Sequence, residues 1–175
     1  MEALERDAEY YCPQLPASPR QAIALALSMV DGCASDRIAV IGSSLGGFYA
    51  TWIAEQIGCR AVLLNPAVTP PRDLEKYVGL SVDYHSGKPF EFRPEYIEEL
   101  RALTVQRITQ AERYFLIAAT GDEVLDWREM VAHYPGAKKH VIDGGDHGIS
   151  DFDRYVDEIL MFCGLMPPAG RADVA

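Results

Sequence analysis

The sequence predicts an α/β fold, a mostly parallel sheet with helices on both faces, and three observations predict it. Short apolar runs alternate with longer segments of helical composition. One of them, Ile38 to Ile41, is a continuous apolar run rich in β-branched residues, as expected of a parallel strand covered on both sides. The helical segments carry recognisable starts and stops. At 175 residues, with 49% hydrophobic and 24% charged side chains, the chain can bury the core of one domain.

The elements follow in order. Glu9 to Leu15 reads as a strand, with Pro13 better suited to its end than its middle. Ser18-Pro19-Arg20-Gln21 offers a capping hydroxyl, a proline at the first helical position and a glutamine at the capping-box position. These open a helix over Ala22 to Val30 that ends near Gly32. Ile38 to Ile41 is a buried parallel strand broken by Gly42 to Gly47. Phe48 to Ile57 is a helix stopped at Gly58, since glycine tolerates the left-handed conformation of a helix end. Ala61 to Leu64 is the next buried strand, closed by Asn65-Pro66.

Between Pro66 and Ala111 the pattern loosens into a cap-like excursion with one helix, from Pro94 to about Leu103. Its Val68, Leu74, Tyr77, Val78 and Tyr84 are candidates for an acyl pocket and equally for ordinary packing. A strand at Tyr114 to Ala119, a helix from Trp127 to Tyr134 and a strand near His140 to Ile142 come next. The last helix, Asp151 to Cys163, carries Phe152, Tyr155, Val156, Ile159, Leu160 and Cys163 on one face, with Ser150 as its cap. Residues 1–175 are expected to form a single domain, with 167–175 as a frayed tail.

Composition excludes several function classes. Sixteen Lys and Arg against 26 Asp and Glu give a net charge of -10, with no basic stretch to follow a phosphate backbone. Nucleic acid is therefore not an expected partner. Cys12, Cys33, Cys59 and Cys163 form no C-x-x-C pair, so they read as small buried apolar residues and not as a metal site. The acidic start lacks the features of a secretory signal, and no apolar run reaches the ~20 residues needed to span a bilayer. A cytoplasmic protein with no membrane partner is the expectation.

Gly42-Ser43-Ser44-Leu45-Gly46 fits G-x-S-x-G between a buried strand and a helix, where a tight turn presents the serine at the sheet's carboxyl edge. A side chain at Gly42 or Gly46 is expected to crowd that turn. A P-loop would need a lysine that is absent here. A serine hydroxyl needs a base, and of the four histidines His147 stands out. It lies in Gly144-Gly145-Asp146-His147-Gly148, between the last strand and the last helix. His85, His133 and His140 read as surface or packing residues. The acid that orients the imidazole is Asp122 or Asp126. Asp126 opens a helix in a D-x-x-E frame and so has a structural use, which favours Asp122. Asp143 and Asp146 read as turn residues, Glu123 as solvent-facing. The order Ser44, Asp122, His147 is that of the α/β-hydrolase triad.

At this point the chain resembles the small bacterial esterases of the YqiA/YcfP type, compact members of the α/β-hydrolase superfamily. The resemblance runs through Cys12-Pro13-Gln14-Leu15-Pro16, Gly42 to Ala50, Asn65-Pro66-Ala67, Thr120 to Asp126 and Gly144-Gly145-Asp146-His147. It implies carboxylic-ester hydrolysis, with nucleophile, acid and base at Ser44, Asp122 and His147. It also implies a first strand ending in a His-Gly-Phe loop that supplies an oxyanion donor. Here nothing before Glu9 reads as an apolar strand, and the only His-Gly pair is His147-Gly148.

The expected activity is therefore a serine esterase acting on small carboxylic esters through an acyl-enzyme on Ser44. The Leu45 N–H is the oxyanion donor, and the chemistry calls for no metal or cofactor. Thioesterase or amide hydrolysis by the same residues is the alternative within enzymes. A catalytically weak hydrolase-fold binding protein is the alternative outside them, because losing one oxyanion donor costs on the order of a hundred- to thousandfold. A first strand missing beside its neighbours would expose apolar surface and unpaired backbone, so a homodimer enters the expectation.

Overall fold

The computed structural model describes residues 8–82 and 89–165. The start before residue 8, Tyr84, His85 and the tail expected to fray lie outside the described residues. Ser18 caps α1 (Pro19–Ser28): its Oγ accepts from the Gln21 N–H at 3.3 Å and donates to Glu99 at 2.7 Å. That cap satisfies an amide with no intrahelical partner and ties the helix to the excursion.

Among the described residues, six strands form two sheets. They are β1 (Ala39–Ser43), β2 (Arg60–Leu64), β3 (Gly79–Val82), β4 (Pro89–Phe92), β5 (Tyr114–Ala119) and β6 (Lys138–Ile142). The main sheet has the order β1-β2-β5-β6 and is parallel throughout. The register sets Ile41 beside Val62 and Val62 beside Phe115. β3 and β4 form an antiparallel hairpin within the excursion. The other helices are α2 (Leu45–Ile57), α3 (Pro70–Leu74), α4 (Pro94–Ala102), α5 (Trp127–His133) and α6 (Val156–Cys163).

The period-two geometry of strands divides the core into two layers. Ala61, Leu63, Tyr114, Leu116 and Ala118 point to one face and pack with Ala22, Phe48, Ile53, Leu100 and Met130. Val62, Phe115 and Ile117 point to the other, against Ile149, Tyr155 and Ile159. Right-handed crossovers advancing in one direction put α2 and α5 on the same side, which leaves α6 to cover the opposite face. β2 and β5 are thus buried on both sides; each fully buried Leu or Ile contributes about 1.5–3 kcal/mol. No helix among the described residues is long and apolar enough to cross a membrane.

Several expectations are corrected. Glu9 to Leu15 forms no strand: Pro13 and Pro16 lack N–H donors, and Tyr10 and Tyr11 stand exposed. β1 is an edge strand among the described residues, and Ile41 is 49% exposed because α6 reaches β2 but does not cover it. The last helix begins late. Residues Phe152–Arg154 form a 3-10 turn, and α6 starts at Val156. The N–H groups of Phe152, Arg154 and Tyr155 donate three residues back, so the turn satisfies amides that a Ser150 cap would have taken. Cys12 and Cys33 are exposed, Cys163 is half-buried, and only Cys59 is a core residue. Burial pushes the Cys59 thiol up to about 11.

Candidate active site

Ser44, Asn65, Asp122 and His147 follow β1, β2, β5 and β6 in that order. All four therefore emerge at the carboxyl edge of one parallel sheet. At Ser44 the chain turns from strand to helix with φ 52 and ψ −120, a strained conformation for a residue other than glycine. Ser44 N–H donates to Leu64 O at 3.0 Å, and Ser44 O accepts from Ala67 N–H at 3.0 Å. A Cβ at Gly42 would lie 2.1 Å from Gly46 O, and one at Gly47 would lie 2.6 Å from the Pro66 Cβ. A Cβ at Gly46 would meet nothing within 4 Å. The close packing expected of Gly46 thus belongs to Gly47. The Leu45 N–H, first in α2, has no intrahelical acceptor and lies at the positive end of the helix dipole.

Asp122 and His147 meet. The His147 Nδ1 lies 2.8 Å from Asp122 Oδ2, and the Asp122 side chain is 0% exposed. Its other oxygen accepts from the Val124 and Leu125 N–H groups at 2.8 and 2.9 Å, so three donors satisfy the buried carboxylate. The loops bearing Asp122 and His147 are joined along their backbones. Thr120 N–H donates to Ile142 O at 2.9 Å and Gly121 N–H to Gly144 O at 2.8 Å. A Cβ at Gly121 would stand 2.5 Å from Gly145 O, so only glycine lets the loops come this close.

The other candidates have different partners. Asp126 caps α5 by accepting from Arg128 N–H at 2.9 Å. The D-x-x-E frame makes no reciprocal box, since Glu129 pairs with Arg72 instead. His133 packs edge-on against Tyr134, and burial pushes its imidazole below the ordinary value. His140 lies 3.3 Å from Glu158 and packs edge-on against Tyr155. Asp146 accepts from Ser150 N–H, and the Ser150 hydroxyl together with loop amides holds its carboxyl below the usual carboxylate range. Of the excursion residues, Val68 and Leu74 pack onto the core, while Tyr77 and Val78 are exposed.

Two residues near the site had no role assigned from sequence. Glu123, exposed as expected, accepts the His147 backbone N–H at 3.0 Å. Asn65 is fully buried and bonds the His147 loop and the end of β5 together. The available signal for Asn65 was a polar amide closing an otherwise apolar strand. No group of three or more His, Cys, Asp or Glu side chains among the described residues is placed to hold a metal ion.

The chain shares its fold with solved α/β-hydrolases. A protein assigned as a hydrolase from Agrobacterium vitis S4 matches with a TM-score of 0.66 at 21% identity, over 83% of this chain and 69% of its own. The esterase domain of a Rhodothermus marinus protein matches with a TM-score of 0.55 at 21% identity, over 81% and 64%. The mouse alpha/beta hydrolase domain-containing protein 10 matches with a TM-score of 0.55 at 19% identity, over 81% and 70%. At these identities the likeness is one of fold. The model of the uncharacterised protein family UPF0227 matches residues 1–164, and the chain belongs to that family.

Proposed function

We propose that this protein is a serine hydrolase of the carboxylesterase type. The observation that carries the reading is the 2.8 Å bond between the His147 imidazole and the fully buried Asp122 carboxylate, on loops at the same sheet edge as the strained Ser44 turn. Ser44 Oγ attacks the ester carbonyl carbon while His147 Nε2 takes its proton. Asp122 accepts from Nδ1–H, which fixes the tautomer with a free Nε2 and stabilises the imidazolium. The Leu45 N–H donates to the tetrahedral oxyanion, helped by the dipole of α2. The C–O bond to the alcohol breaks as His147 returns the proton to the leaving oxygen, leaving an acyl-Ser44. Water then gives a proton to His147 and attacks the acyl carbon; the acyl C–Oγ bond breaks as His147 returns that proton to Ser44 Oγ, releasing the acid and restoring the hydroxyl.

Intact-mass labelling with a fluorophosphonate tests this. One adduct is expected, mapping to the Ser44 peptide and absent from Ser44→Ala, which also loses ester hydrolysis while keeping its melting temperature. Full hydrolysis by a clean Ser44→Ala preparation would overturn the mechanism.

A further inference from the structure

We propose that Asn65 is a positioning residue that fixes the His147 loop relative to the Ser44 turn, an inference that rests on reading His147 as the base. Asn65 follows β2 with φ 40 and is 0% exposed. Its N–H donates to Ile117 O at 2.9 Å, and its Oδ1 accepts from Ala119 N–H at 2.8 Å. Its Nδ2 donates to Asp146 O at 3.0 Å and to His147 O at 2.9 Å. One side chain thus joins the end of β5, which leads into Asp122, to the carbonyl of the base itself.

The same short segment holds the nucleophile. Leu64 O accepts from Ser44 N–H, and Ala67 N–H donates to Ser44 O. Residues 64–67 are therefore a strut between two loops that the chain order separates by about a hundred residues. The residue type is specified by this work. Only an amide carries two donors and an acceptor at that reach, and asparagine tolerates the left-handed backbone better than other residues with a side chain. Aspartate keeps the shape but loses both donors. Glycine keeps the backbone but loses every side-chain bond.

The test compares the full wild-type chain with Asn65→Asp and Asn65→Gly, using fluorophosphonate labelling and hydrolysis of p-nitrophenyl acetate, with thermal unfolding as the folding control. In folded variants, the labelling rate and kcat are expected to fall at least tenfold while KM stays within threefold. A residue that merely stabilised the fold would leave kcat of the folded fraction unchanged, and that result overturns the proposal. Wild-type NMR keeps the test decisive if neither variant folds. The Asn65 Nδ2 protons should exchange slowly and show through-hydrogen-bond couplings to the Asp146 and His147 carbonyl carbons; fast exchange or absent couplings overturn the proposal. The two readings fail separately. A wild-type chain that takes no label while Nδ2 stays coupled to the His147 carbonyl removes the esterase and supports the strut. Labelling of Ser44 at the wild-type rate in both variants removes the strut and leaves the esterase.

Discussion

Asp122 and Asp126 share one loop, and their partners give them different work. Asp122 is buried, with three N–H donors, one of them from His147. Asp126 is exposed and serves the first turn of α5. Asp122→Asn offers the imidazole an NH₂ where it needs an acceptor, so turnover should fall by about 10³- to 10⁴-fold with little change in unfolding midpoint. Asp126→Ala should leave kcat unchanged and cost about 1 kcal/mol in urea unfolding. The reverse ranking would move the acid to Asp126. The turn glycines differ in the same way. Gly42→Ala drives a Cβ into the Gly46 backbone and should yield no folded protein, whereas Gly46→Ala meets open space. In the first turn of α2, Gly46→Ala should stabilise by about 0.4–1 kcal/mol, read as a raised urea midpoint.

Among elements, position in the sheet decides what a residue contributes. Ile117 in β5 is 0% exposed and packs under Ile149 and Ile159, whereas Ile41 in β1 is half exposed on the same face. Ile117→Ala should cost about 2–5 kcal/mol and Ile41→Ala less than about 1, both measured by denaturant unfolding. Equal losses would mean that β1 is covered in solution. This contrast marks what the sequence makes legible. A run such as Tyr114 to Ala119 announces a strand because continuous apolar residues need cover on both faces, and β5 has those bounds. Edge or centre is decided by distant partners, so Ile38 to Ile41 looked equally central. The β3–β4 pairing is hidden for the same reason, since it sets Gly79 beside Phe92 and Val82 beside Pro89. Glu9 to Leu15 has the composition of a strand and pairs with no strand among the described residues. At the site, loop glycines and chain order pointed to Asp122 and His147, which the fold does bring into contact. Asn65 escaped because its partners lie 81 and 82 residues away.

Across the whole molecule, paired carboxylates and a partly buried histidine make stability depend on pH in two separable windows. Arg72 holds the Glu129 carboxyl below its ordinary value. Burial alone would raise Glu55 and Glu158, but bonds from Tyr114 and Thr109, and from Lys138 and His140, outweigh it and lower both. Groups lowered in the folded state bind protons more readily when unfolded, so their stabilisation is present above the ordinary carboxylate range and is lost below it. His133 acts at higher pH. Burial lowers its imidazole in the folded protein, while the unfolded chain protonates near the ordinary ~6.5. Between those two values the unfolded state holds more protons, so stability falls as pH drops through about 6.5, before the carboxylates are reached. His133→Gln removes the titration and keeps a polar side chain. Urea unfolding at half-unit steps from pH 8 to pH 5 should give two curves that run parallel above about pH 7.5 and diverge below 6.5, the wild type falling more steeply. Curves that stay parallel to pH 5 would mean that His133 is solvated in the folded protein and that acid sensitivity lies in the carboxylates alone.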